Sequence, residues 1–513
     1  MGDVVVVSQR KADNGMLQIS EREVTTAQVH INAKEMEEMQ AASIDQALQG
    51  RLSGVDITAN SGDPGAGMQI RIRGTSSING SNDPLIVVDG MPYETSVPSD
   101  FNFGAADELG YASLLNIAPT DIKDITILKD AASTAVWGSR AASGVVVITT
   151  KRGSVGKPSF TYTNKSSVTK QPEAIPMLTG DQYSTLIPEA FMNSTGTSLN
   201  TQIVKEFQYD PNDPYWYNNY SKNTNWIKAI TQTGITQDHN ISMTGGGEKA
   251  RYYASFGYLN QTGTTIGTYL KRISTRINLD YIVSDRIRFK SDLSYSNTDN
   301  NRNFALNLRD IAYRKMPNMS IYEYDEFGNP SGNYFSPASN IQGQYLLLTT
   351  KSEVLGTINP LAMAREAKNN IINQRITPHF NLQYEILRKV LMATFDIQFD
   401  INNNKSNSFL PQTATGRPWT EPSVNRTYDG DLDGFNVQSK TNLVYTPNFK
   451  NQDHKLVSFL SLSTYDNKSV SQEIQLPTQL HQFCKTLHLP HVHKMAKQGW
   501  FQMLPSHAVW GYW

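Results

Sequence analysis

The chain has 513 residues, in which 46 Lys and Arg nearly cancel 47 Asp and Glu to leave a net charge of −1. That balance supplies no field for nucleic acid and no basic face for anionic lipid, and a single cysteine, Cys484, excludes an internal disulfide framework. No run of about 18 apolar residues offers a membrane helix, but a barrel strand crosses with about 9–11 residues of which only alternate ones face lipid, so a polar average leaves a membrane barrel open.

The chain opens Met1-Gly2-Asp3-Val4-Val5-Val6-Val7. It shows no basic n-region, long apolar h-region or small-residue cleavage site, and Val6 stands where a myristoylation signal needs Ser or Thr. Residues 1–20 read as a short Val run followed by polar, mobile sequence. The start of the precursor, with its signal peptide, is expected to be missing.

Residues 21–153 mix short strands and helices with many glycines. Ser43-Ile44-Asp45-Gln46 begins a helix with a capping-box pattern; Ile44, Ala47, Leu48 and Leu52 share one face, and Gly54 is placed to stop it. Val55-Asp56-Ile57 reads as a strand, and Met68, Ile70 and Ile72 alternate with Gln69, Arg71 and Arg73 before Gly74. Gly62 to Gly67 lacks the Gly-Lys-Ser/Thr of a phosphate loop and reads as a turn-rich connection. Leu85 to Val88 is a buried strand ending in Asp89-Gly90, which reads as a structural hairpin turn. Asp130 to Val136 suits a short helix and Val145 to Thr150 a final strand.

Residues 154–475 alternate with period 2. Ile273, Thr275, Ile277, Leu279 and Tyr281 interleave with Ser274, Arg276, Asn278 and Asp280, and Ile287, Phe289, Leu293 and Tyr295 with Arg288, Lys290, Asp292 and Ser294. The pattern returns at Phe380, Leu382 and Tyr384 against His379, Asn381 and Gln383, and at Ala393 to Ile401 against Thr394, Asp396, Gln398 and Asp400. Short turns take turns with long connections such as 299–345 and 402–434. A β-sandwich also alternates, but long strands, the loop pattern and ionic residues on the polar faces favour an outer-membrane barrel with a wet lumen. The segment holds about 8–12 strands of barrel length.

Alternation stops after about Gln475, and 476–513 contains five of the nine histidines and three of the seven tryptophans. His481, Cys484, His488, His491 and His493 have metal-ligand chemistry, but an accidental cluster lacks the supporting hydrogen bonds of a built site. The expected origin of this aberrant tail is a shifted reading frame.

Three blocks of 21–153 carry a family resemblance. The first runs from Gly54-Val55-Asp56-Ile57 through Gly62-Asp63-Pro64-Gly65 into Ile70-Arg71-Ile72-Arg73-Gly74-Thr75; the second is Asp83-Pro84-Leu85-Ile86-Val87-Val88-Asp89-Gly90. The third is Ile125-Thr126-Ile127-Leu128-Lys129-Asp130-Ala131-Ala132, then Trp137-Gly138-Ser139-Arg140 and Ile148 to Gly153. In order and spacing they resemble the SusC/RagA-like TonB-dependent outer-membrane transporters. The resemblance implies an α+β plug domain (21–153) followed by an incomplete antiparallel transmembrane β-barrel of outer-membrane type (154–475).

It further implies that Asp3, Val4, Val5, Val6 and Val7 form a TonB box. A β-branched run at a chain terminus is suited to adding as a strand to a partner's sheet edge, and equally suits the strand-forming end of a domain cut away. The resemblance places Arg71 and Arg73, on one strand face, against acidic residues of the barrel's inner wall; a solvated strand edge is the alternative. Implied partners are TonB with its inner-membrane energising complex, a SusD-like surface lipoprotein, a glycan or peptide substrate and outer-membrane lipid. No nucleic acid, cofactor, metal or catalytic residue is expected: no Gly-x-Ser-x-Gly elbow, His-Glu-x-x-His or paired-Cys motif is present. The family's signal peptide, N-terminal β-sandwich and remaining barrel strands have no counterpart here, so the chain is expected to be an N-terminal fragment that neither inserts stably nor transports alone. A soluble or surface-attached β-rich carbohydrate-binding protein is the rival reading.

Overall fold

The computed structural model describes residues 11–13, 18–20, 28–32, 44–59, 62–66, 68–74, 83–93, 116–198, 207, 216–304, 308–336, 358–415, 425–447, 449 and 456–477. The Asp3–Val7 run, the capping Ser43 and the His/Cys-rich tail lie outside the described residues.

β1 (Lys11–Asp13) and β2 (Gln18–Ser20) pair as a small hairpin. β3 (Gln28–Asn32), β6 (Leu85–Val88), β7 (Met91–Pro92), β8 (Ile122–Leu128) and β9 (Val145–Thr150) form a five-stranded sheet in the order β3-β8-β9-β6-β7, with β6 and β9 parallel. β9 reads as an unbroken apolar run because both of its faces are covered. Val146 and Ile148 join one core with Ile31, Ile57, Ile70, Ile86 and Ile125, whereas Val145 and Val147 join a second with Val87, Leu128 and Trp137. α1 (Ile44–Leu48) closes the first core; it is shorter than its apolar stripe, and the chain turns before Leu52, which stays buried. Gly54, in the left-handed region, redirects it into β4 (Val55–Ala59), which pairs antiparallel with β5 (Met68–Ile72). Asp89 and Gly90 both take positive φ, 49° and 88°, the geometry of a tight hairpin between β6 and β7. α2 (Ala131–Thr134) runs on into two short 3-10 turns, Ala135–Ala141, separated by a kink at Gly138.

The second unit is a nine-stranded antiparallel meander: β10 (Gly156–Thr169), β11 (Gly234–Gly246), β12 (Ala250–Thr262), β13 (Tyr269–Ile282), β14 (Ile287–Asn301), β17 (Lys368–Leu387), β18 (Leu391–Phe409), β19 (Arg426–Tyr445) and β20 (Ser458–Pro477). Among the described residues β10 and β20 are its two edges, so the sheet is an open wall. A side hairpin, β15 (Tyr322–Tyr324) with β16 (Pro330–Tyr334), sits in the β14–β17 connection.

The wall is inside out relative to a soluble core. Ile273, Ile277, Leu293, Phe380, Leu382, Phe395, Ile401 and Phe435 are exposed, whereas their neighbours Arg276, Asn278, Asp292, Arg375, His379, Asp396, Asp400 and Lys440 are buried. A sandwich would bury the first set against another sheet; among the described residues no such sheet covers them. Along β14 the outward apolar positions run from Ile287 to Tyr295, and along β19 from Phe435 to Tyr445. Roughly eight to ten residues at ~3.3 Å each, tilted ~40°, span ~20–25 Å, which is the height of an outer-membrane apolar band. Among the described residues no helix is long and apolar enough to cross a membrane, which says nothing about strands.

The turns 247–249, 283–286 and 388–390 lie at the end of the wall where the chain enters from β9, as does the β19–β20 connection, and the connections 170–233, 302–367 and 410–425 lie at the other. The expected loop at 402–434 is corrected: 402–409 belong to β18 and 426–434 to β19. Alternation fails there because both faces are polar, as water on both sides requires; the ladder continues, with Asn403 bonded to Asp433 and Asn407 to Asp429. The long-loop end is capped by α3 (Gly180–Thr195), α4 (Trp216–Tyr220), α5 (Trp226–Ile230), α6 (Leu308–Arg314) and α7 (Pro360–Glu366). All but α3 contribute to a separate apolar core around Trp226, Ile230, Leu308, Met319, Ala362 and Met363. Asn359, 0% exposed, ties it together: its amide donates to the carbonyls of Ile321 (2.8 Å) and Phe335 (3.0 Å), and its oxygen accepts from the amides of Leu361 and Ala362.

Candidate functional site

The first unit sits against the polar face of the wall, and the seam between them is the candidate site. Its lower clasp is the linker after β9. Thr150 donates from its amide (2.9 Å) and hydroxyl (2.7 Å) to the Asp89 carboxylate, fixing the hairpin turn to the end of β9. Arg152 then forks across two wall strands, to Asp280 on β13 at 2.7 Å and to Asp292 on β14 at 2.6 Å. Burial disfavours the Arg152 cation, but the carboxylates of Asp292, Asp89 and Asp280 outweigh it and hold its pKa above the usual arginine value. Between these contacts Asn278 donates to the Lys151 carbonyl at 2.7 Å, and Tyr253 donates to Asp121 at 3.0 Å. Gly153 passes so close to β12 that a Cβ there would lie 2.3 Å from the Tyr252 amide nitrogen.

Arg276 reaches back from the wall to Asp89 (3.7 Å) and Asp121 (4.0 Å), charge pairs longer than hydrogen bonds. Beside it, His379 places one ring nitrogen 3.3 Å from Asp292 and the other 3.1 Å from Asp396, which also accepts from Asn381 at 2.6 Å. These groups line a polar cavity of about 30 Å³ shared by Asp89, Asn116, Arg276, Asp292, Arg375 and His379, room enough for a water molecule. The turn-rich loop of residues 62–66 docks higher up, its Gly65 carbonyl accepting from Arg302 at 3.4 Å.

Arg71 and Arg73 do not form the contacts expected of them. The strand ends at Ile72, Arg73 takes a positive φ of 59°, and the two side chains therefore do not continue one face. Arg73 pairs with Asp130, inside its own domain. Arg71 lies opposite Asp56 in the β4–β5 ladder, and among the described residues no ion pair joins it to a wall carboxylate. The seam is instead carried by Arg152, Asp89, Asp121 and Tyr93 on one side and by Arg276, Asp280, Asp292, Arg375 and Lys440 on the other. The available signal was the charge on the polar face of each wall strand, together with Arg152 at the end of the third sequence block.

No group here is paired as nucleophile and base. Buried charge pairs of this kind add little net stability over apolar packing, but each costs several kcal/mol to break on one side only. The seam thus suits separation as a unit, with both faces rehydrated together.

Residues 20–145 match the family model described as the TonB-dependent receptor plug domain. The chain is 32% identical to the TonB-dependent receptor SusC of Bacteroides thetaiotaomicron over 288 residues, 56% of this chain and 26% of that protein. It is 32% identical to the TonB-dependent receptor P26 of Formosa agariphila over 418 residues, 80% of this chain and 36% of that one. The RagAB peptide importer in its closed-closed state has the same fold, with a TM-score of 0.67 at 20% identity over 89% of this chain and 49% of that chain. The ferric citrate transporter FecA shares it at a TM-score of 0.52 and 10% identity, over 89% of this chain and 50% of the other. The chain thus spans about a quarter to a third of these curated relatives and about half of these solved chains.

Proposed function

This chain belongs to the SusC/RagA-like TonB-dependent transporters, and we propose that it supplies the plug and part of the wall for energy-coupled import across an outer membrane. In this reading residues 21–153 are the gate and 154–475 the wall. Cargo, an oligosaccharide or a peptide, arrives from the long-loop end under a SusD-like surface lipoprotein. TonB captures Asp3–Val7 by strand addition from the turn end, and the proton-motive force of the inner membrane rearranges the plug.

The observation that supports this reading is the seam itself. A domain with its own apolar cores meets the wall through discrete charged and polar contacts, the chemistry of a joint that opens into water. A soluble binding module needs no buried ionic face and no exposed apolar one. The test is Val5→Pro in the transporter restored to the length of its relatives, in its host. A strand that cannot donate its amide at that position does not pair with TonB, so uptake of the cognate polymer should disappear while surface binding remains. Undiminished uptake would remove the TonB-box assignment and with it the coupling.

A further inference from the structure

The linker contacts are ionic, but beside them the plug meets the wall by a different kind of contact. Tyr93, directly after β7, is buried, and the Arg375 guanidinium of β17 lies 3.7 Å from the centroid of its ring. Arg375 is held flat by a two-pronged bond to Asp400 of β18, Nε to Oδ1 at 2.8 Å and Nη2 to Oδ2 at 2.6 Å. The pair is 5% and 2% exposed at the side chains, so the plate is fixed before the ring arrives. A second cation–ring contact lies two strands further on, where Lys440 of β19 sits 4.5 Å from the Trp137 ring centroid and donates to the Gly90 carbonyl at 3.3 Å. Burial pushes the Tyr93 phenol up, against the lowering effect of the Arg375 charge, so the ring face meets the cation as a neutral aromatic.

We propose that Tyr93 and Trp137 are positioning residues of the gate, seated on wall cations Arg375 and Lys440 as a second latch, separate from the ionic clasp at Arg152. The inference rests on the gate-and-wall reading above and adds a division of labour to it. Arg152 binds β13 and β14, whereas Arg375 and Lys440 lie on β17 and β19, so the plug is held along two neighbouring arcs of the wall, which meet where β14 pairs with β17. The two arcs differ in what releases them. Arg152 and Asp280 are about a quarter exposed, 22% and 26%, so this outer prong of the clasp is open to screening by salt, while the prong to Asp292, 6% exposed, lies deeper. The Tyr93–Arg375 contact is buried and is far less screened. Rising ionic strength should therefore loosen the linker first and leave the 85–93 hairpin seated.

The experiment is amide hydrogen exchange on the full chain in detergent micelles, which needs neither TonB nor cargo; a failure here strikes the latch, while the Val5→Pro uptake test strikes the transport reading. Between 0.1 and 1 M NaCl, chosen to bring the screening length from about 10 to about 3 Å, exchange at Thr150–Gly153 should quicken and exchange at Leu85–Tyr93 should stay within about twofold. Arg375→Gln and Tyr93→Leu should each quicken Leu85–Tyr93 about 5- to 30-fold, the range a desolvated cation–π contact spans. Tyr93→Phe keeps the ring face but loses the hydroxyl's bond with Asn116, and should fall between wild type and Tyr93→Leu. Lys440→Gln gives an independent reading at Trp137 should Arg375→Gln misfold. Equal salt acceleration at both arcs, a Tyr93→Phe as fast as Tyr93→Leu, or wild-type exchange in Arg375→Gln and Lys440→Gln alike would overturn the latch.

Discussion

Replacing Arg152 with Met tests the linker clasp most directly. The side chain spans two carboxylates of unequal burial: Asp292 is 6% exposed and Asp280 26%. Losing one partner of a buried pair costs about 3–5 kcal/mol because a charge is left uncompensated. Asp292 keeps His379 at 3.3 Å, so the lower end applies there, and the more exposed Asp280 adds about 1 kcal/mol at most. The expected loss is about 3 kcal/mol. For a plug of this size, with a urea slope of about 1.5 kcal/mol per molar, that is a midpoint shift of about 2 M. Pulse proteolysis along a urea series on the detergent-held chain measures it, because the unfolded plug is cut while the wall resists. The double variant Arg152→Met/Asp292→Asn should recover about half of the loss, since the uncompensated charge is then gone. A single-variant shift under about 0.3 M, or no recovery in the double variant, would refute the electrostatic account.

Further outcomes follow from other parts of the molecule. Asn359→Ala orphans two carbonyls and two amides in the loop cap, at about 1–3 kcal/mol for each group left unsatisfied; protease cutting within 308–336 should rise sharply while the plug's urea midpoint holds, and intact loops would dismiss the tie. Leu293→Arg puts a charge within the apolar band and should lower the folded fraction in lipid vesicles by about 2–4 kcal/mol, whereas Asn297→Arg, above the band on the same face, should be tolerated; equal effects would displace the band. At the β15–β16 hairpin, Asp325 accepts from the amides of Asn329 (2.7 Å) and Phe327 (3.0 Å), bonds that hold its carboxyl below the usual value. A depressed folded pKa gives order that is complete above the ordinary aspartate range and lost as pH falls through the lower value. The Phe327 and Asn329 amides should therefore begin to exchange freely only in acid, and pH-independent protection would exclude the carboxylate.

The fold was legible wherever one face of an element meets a different medium. Period-2 runs such as Ile273–Tyr281 declared the lipid side of the wall, and the Leu85–Val88 run with Asp89-Gly90 declared a covered strand and its hairpin. Legibility failed where the medium is the same on both sides, which is why 402–409 and 426–434 read as loop although they pair residue for residue. It also failed at the seam. Arg71 and Arg73 looked paired because a strand was extended by one residue too many; Arg73 is in a turn and bonds Asp130. Arg152, Tyr93 and Trp137 carry no local pattern that names their partners, which lie on strands more than 120 residues away in sequence, as with Arg152 and Asp280 at a separation of 128.

The strands that outrun the apolar band have a consequence for anything approaching from the long-loop end. Eight further residues of β18 and nine of β19 raise the barrel wall about 20 Å beyond the lipid level. By parity with Asp400, its inner surface there presents Asn402, Asn404, Ser406 and Ser408, neutral amides and hydroxyls that exchange hydrogen bonds with solute and water at similar strength. Such a vestibule has no single deep well to trap a visitor; an extended hydroxylated or amide-bearing chain entering end-on would slide down it by trading one weak bond for the next.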